Sequence, residues 1–273
     1  MKFRVLFFSC LIISCLSHSE ISFTGSTPAG KDIRIFLGVP LSDSVDFIRW
    51  KVIIREHQYE MVCHYGIGKP NTNGFIHDGE RKTIHGNYRK EGNIYYFMND
   101  KKTLKALELN TDLLHIMDAQ NKLYVGNGGW SYTLNNLHPK QGSYISSSKI
   151  SFSFKDSLDL EGRTPCGVPG IVEKGKVCYK LKWHMILYKK PGSTDMGNYK
   201  IFGTAWRDRG SVQGAWKMIR GKNGETMFHL YNEKAVVFLR LIWIDDSVLV
   251  FTDPSGKFLV GNEDFSYTLN RRH

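Results

Sequence analysis

The chain has 273 residues, 41% of them hydrophobic, 13% aromatic and 23% charged, with a formal net charge of +11. That is enough apolar material for more than one packed core, and it excludes a disordered or low-complexity chain. Five cysteines are too few for a disulfide-dense miniprotein.

The chain opens with Lys2 and Arg4 and then an apolar run over residues 5–16. This reads as an export signal, residues 1–19, whose apolar core is shorter than the roughly 20 residues of a membrane span. Two processing readings stand. Small residues at Ser17 and Ser19 allow cleavage before Glu20, and residues 12–15 (IISC) resemble a lipobox that would leave a lipid-anchored Cys15. Removing Lys2 and Arg4 takes the charge from +11 to +9. An exported basic chain suits contact with lipid head groups or anionic envelope polymers. Without a basic tail, zinc-finger spacing or an RNP-type motif, nucleic acid is not the expected partner.

The organisation follows from a repeat. Residues 122–135 read KLYVGNGGWSYTLN and residues 257–270 read KFLVGNEDFSYTLN, identical at nine of fourteen positions with an offset of 135. Upstream, residues 113–118 fall on 248–253, Gly86 on Gly214, Trp50 on Trp183, and residues 25–30 (GSTPAG) on 162–167 (GRTPCG), with small changes of offset. Self-similarity at this spacing is two copies of a domain rather than a solenoid. The units are residues 21–137 and 150–271, of about 115 residues each, with residues 138–149 as a linker.

Each unit is read as strands. Ile48, Trp50, Val52 and Ile54 alternate with Arg49, Lys51 and Arg55; Val177, Tyr179, Leu181, Trp183, Met185 and Leu187 alternate with Lys176, Cys178, Lys180, Lys182 and His184. Period two with one polar face is a half-buried strand. Turn signals at 118–121, 245–246 and 253–256 divide the end of each unit into a meander. No window of twelve residues carries a capped helical stripe. The expected fold is all-β, two tandem antiparallel barrels of the up-and-down, lipocalin-like kind with seven to nine strands each. His115, alternating with apolar neighbours, is expected to face solvent.

Cys166 and Cys178 are expected to close a local disulfide, leaving Cys63 unpaired, buried and inert. His57, His64, His77 and His85 match no closed metal motif. The repeated Gly126, Asn127 and Tyr132, with Gly261, Asn262 and Tyr267, suit turns and strands and are read as structural. Trp50 and Trp183 are core residues, or the wall of a cavity for an apolar ligand if the barrels are hollow. No nucleophile elbow, zinc-protease, Walker or dinucleotide motif occurs, so neither catalytic residues nor cofactors are assigned.

Residues 162–170 (GRTPCGVPG) carry one resemblance. Through Gly162, Pro165, Cys166, Gly170 and Ile171, with later elements at 214–216 and 249–256, the second unit resembles the N-terminal domain of NlpE-type copper-resistance lipoproteins. In that family a Gly-x-x-Pro-Cys-x-x-Cys-x-Gly-Ile loop opens a lipocalin-like barrel. The family's second cysteine falls on Pro169, and Ala29 replaces the first in unit one, so the resemblance implies the fold without the metal loop. It implies a non-enzymatic exported protein of envelope homeostasis, in stress or metal response, periplasmic or anchored at the outer membrane. Its partners would be outer-membrane lipid or an envelope protein. A ligand carrier and an envelope-directed enzyme are the alternative expectations.

Overall fold

The computed structural model describes residues 20–140, 142, 154–172, 177–221 and 224–272. The expected leader (1–19, with Cys15) and most of the expected linker lie outside them.

Both units are closed eight-stranded antiparallel barrels in which each strand pairs with the next and the last returns to the first. Barrel one runs β1 (Ile21–Pro28), α1 (Lys31–Leu37), β2 (Phe47–Arg55), β3 (Gln58–Gly66), β4 (Glu80–Glu91), β5 (Ile94–Asn99), β6 (Lys102–Asn110), β7 (Leu113–Met117) and β8 (Thr133–Asn136). Barrel two runs β9 (Ser157–Thr164), β10 (Leu181–Lys189), β11 (Met196–Gly203), β12 (Val212–Arg220), β13 (Thr226–Tyr231), β14 (Val237–Asp245), β15 (Val248–Phe251) and β16 (Thr268–Arg271). Closure leaves neither sheet with an open edge.

The inward parity of each strand fills its own barrel. Ile48, Trp50, Val52 and Ile54 point into the first, and Leu181, Trp183, Met185 and Leu187 into the second. The two tryptophans are held alike. Trp50 Nε1 donates to Thr27 Oγ1 at 2.9 Å, and Trp183 Nε1 to Thr164 Oγ1 at 2.9 Å. Each threonine hydroxyl in turn donates to the carbonyl of the following proline, Pro28 or Pro165. The repeated Thr-Pro dipeptide therefore gives a buried indole N–H its acceptor.

Two features depart from the sequence expectation. A short helix, α1, plugs the mouth of barrel one with Ile33, Phe36 and Leu37. At seven residues it is too short to show a periodic stripe, and it ends at Gly38, whose φ of 66° is the left-handed cap. In barrel two the corresponding place is taken by residues 165–172 and 177–180, where Cys166 and Cys178 form a disulfide with Cα atoms 6.0 Å apart. The alternating run expected from Val177 starts as a strand only at Leu181; Val177 and Tyr179 lie beyond the barrel rim and are exposed.

Cys63 lies on β3, fully buried, and burial holds its thiol far above the ordinary range. Since the thiolate is the reactive form, a chain beginning at Glu20 is expected to give no thiol colour with Ellman's reagent in native buffer. It should give one equivalent in guanidinium chloride. Reaction at the native rate of a free thiol would show that barrel one opens readily.

Candidate functional site

The repeated motif proves to be the place where the barrels meet. The Gly126 N–H donates to Asn270 Oδ1 at 2.8 Å, and its counterpart, the Gly261 N–H, donates to Asn135 Oδ1 at 2.8 Å. Ser131 and Ser266 hydroxyls lie 2.6 Å apart, and those of Thr133 and Thr268 2.9 Å apart. The members of each hydroxyl pair differ by 135 in number, the offset of the repeat. Residues meeting their own copies, and i–j contacts answered by j–i contacts, define an isologous two-fold interface. Here both halves belong to one chain.

The local sequence builds this seam. Asn127 Oδ1 accepts from the N–H groups of Gly129 and Trp130, and Asn262 Oδ1 from those of Asp264 and Phe265, which curls each loop tightly. Only glycine fits before the asparagine. A Cβ on Gly126 would stand 2.3 Å from Trp130 O, and one on Gly261 2.1 Å from Phe265 O. Tyr132 and Tyr267 turn back into their own barrels; Tyr267 Oη accepts from the Gly167 N–H at 3.1 Å. The six repeated residues thus shape the loops and barrels of their own units, and Gly126, Gly261 and Asn262 also tie one unit to the other.

Beneath the polar contacts is a third apolar cluster, with Leu107, Leu109, Leu113 and Met117 from barrel one against Ile242, Ile244, Val248 and Val250 from barrel two. His115 lies in this seam with no exposed surface, contrary to its expected solvent-facing position. Its outward parity points at the second barrel. Nδ1 lies 2.9 Å from Thr133 Oγ1 and Nε2 2.9 Å from Tyr124 O. Burial lowers its pKa from 6.5 to about 4, opposed in part by the Tyr124 carbonyl. Its copy in barrel two is Val250.

Loop 261–265 reaches barrel one near β2. Ser26 Oγ donates to Glu263 O, and Arg49 and Asn73 both bind the Asp264 carboxylate. On the other side Trp130 stacks on Phe47 at 4.4 Å, with the Arg163 guanidinium 5.9 Å from its ring centre.

The remaining candidates do not converge. Trp50 and Trp183 are 1% and 4% exposed. The recesses at the two barrel mouths are lined instead by residues such as Val45, Tyr65 and Ile76 in the first, and Ile171, Leu181 and Ala205 in the second. His64 contacts Asp78 O and packs on Phe75, while His85 lines a separate recess with Arg55 and Glu60. His184 faces outward on β10, 2.9 Å from Asp159, an ion pair only when the imidazole is protonated. Among the described residues no three His, Cys, Asp or Glu side chains gather as a metal site would require.

Comparison with protein-family models, with curated proteins and with solved structures finds no match to this chain.

Proposed function

We propose that this chain is a non-enzymatic, exported protein of a cell envelope that acts by binding, through the outer surface and rims of two rigidly joined barrels. The observation that carries this reading is where the chemistry-bearing residues go. Trp50 and Trp183 fill the cores with Tyr132 and Tyr267, the repeated Gly, Ser and Thr residues are used in the seam, and Cys166 is tied to Cys178. What remains for a partner is exterior. The NlpE-type resemblance adds envelope homeostasis as the setting, with the cysteine loop serving as a clamp rather than a ligand set.

Expression of the full chain with fractionation and intact-mass measurement tests the location. A mature chain starting at Glu20, or lipid-modified at Cys15, in the envelope or outside the cell is the expected result. A cytosolic chain retaining residues 1–19 would end the proposal. Native mass spectrometry of the same material tests the mode of action. The expected mass is that of the bare mature chain, and a stoichiometric apolar ligand would turn the reading toward a carrier.

A further inference from the structure

The mouth of barrel two carries an apolar projection with a basic base. Val177 and Tyr179 are 85% and 86% exposed, well above the next large hydrophobic residue among those described, Val236, at 58%. They continue the apolar parity of β10 past the barrel rim, where there is no interior left to face. The Cys166–Cys178 disulfide pins Cys178, the residue between them, to the 165–172 turn, so the two side chains flank a covalently held position. Beside them is a recess of about 630 Å³ with Ile171, Val172 and Leu181 in its lining.

The surroundings are cationic. Lys180 and Lys182 line the same recess, and Arg163 stands directly across from Lys182 in the β9–β10 register. Burial, and then the nearness of Arg163 and Lys182, lowers the Lys180 pKa, with Asp264 acting the other way. Asp264 is itself held by Arg49, so among the described residues Asp208 is the acidic group on the recess. Exposed apolar side chains with lysines beside them suit the boundary of an anionic leaflet. There the apolar tips enter the acyl layer and the ammonium groups meet phosphates. A soluble polyanion would use the lysines and arginine but leave Val177 and Tyr179 in water.

We propose that this rim is a docking surface for an anionic phospholipid bilayer, with Val177 and Tyr179 as the inserted pair and Arg163, Lys180 and Lys182 as the headgroup contacts. The surface does not depend on export, since any anionic leaflet offers the same chemistry.

Cosedimentation of the full mature chain with vesicles tests this. Binding is expected to vesicles of phosphatidylcholine mixed with phosphatidylglycerol, to fall with salt, and to be absent with phosphatidylcholine alone. V177S/Y179S should weaken partitioning by at least about tenfold, from the apolar area left in water. K180E/K182E should weaken it on the anionic vesicles as well. Val177, Tyr179 and Lys182 are exposed, whereas Lys180 is half-buried and reaches Asn73 Oδ1 at 3.5 Å. V177S/Y179S and K182E should therefore match the parent in circular dichroism and melting, and K182E alone is the cation test if K180E/K182E does not. The proposal falls if the parent ignores anionic vesicles, or if V177S/Y179S binds them as the parent does. It falls equally if the parent binds dextran sulfate but no vesicle, which would assign the cations to a soluble polymer.

Discussion

Replacing Asn135 with alanine is expected to cost about 3 kcal/mol and to loosen the two barrels from each other. Asn135 is fully buried; its Oδ1 accepts from the Gly261 N–H, and its Nδ2 donates to Asn262 O at 3.0 Å. Truncation leaves a donor and an acceptor of the opposite barrel without partners in a site too close-packed for water. Each orphaned group costs about 1–3 kcal/mol. Asn270→Ala strips the Gly126 N–H in the same way and should cost a similar amount. The double variant is the sharper test. With both ties gone, the apolar cluster, the hydroxyl pairs and the hold of Ser26, Arg49 and Asn73 on the 261–265 loop are what couple the units. Calorimetry should then show two transitions where the parent shows one, with a van 't Hoff enthalpy below the calorimetric value. A double variant that melts in one transition at the parent's midpoint would mean that the two asparagine ties contribute nothing to the cooperative unit.

The barrels themselves are legible in the sequence because a strand with one buried face writes that face at every second residue. β10 does so from Leu181 to Leu187, and the matching parity of Trp50 and Trp183 places both indoles inside. The seam is harder to read, because period two says which side chains share a face and is silent on what covers the other face. His115 illustrates the difficulty, since outward parity means solvent only when no second barrel stands there. A signal does exist in the strands around it. β7 (LLHIM) and β15 (VLVF) are buried at every position, whereas β3 is buried only at alternate ones. Strands apolar on both faces are covered on both faces. Two such strands at the repeat offset are the trace of two units meeting through the same surface. The helix α1 left no comparable trace: seven residues make two turns, and its burial depends on the barrel mouth it fills. Val177 and Tyr179 mislead for a related reason, since the alternation persists where the barrel has ended.

Replacing His115 with valine, the residue its copy carries, is expected to make the protein more tolerant of acid. Tyr124 O can only accept, so Nε2 carries the proton, and Nδ1 must accept from the Thr133 hydroxyl. Thr268 then donates to Thr133, which completes a chain across the seam. Protonating Nδ1 reverses that chain and puts a charge in a site without solvent. The folded-state pKa, about 4, lies below the ordinary 6.5, so on acidification the unfolded chain takes up the proton first. The stability associated with the neutral imidazole is whole above 6.5 and is lost as pH falls toward 4, about 3 kcal/mol in all. Asp245 works in the opposite sense. Burial raises its pKa from 3.8 to about 6, so stability is regained as that carboxylate protonates on the way down. The raw acid curve therefore mixes two trends, and the difference between parent and variant removes the shared one. Urea denaturation at neutral pH and at about pH 5 should show the stability of H115V relative to the parent rising by about 2 kcal/mol on acidification. An unchanged difference would mean that His115 is hydrated or already charged in the folded protein. The seam would then be open at a place where the two barrels are not chemically alike, His115 in one answering to Val250 in the other.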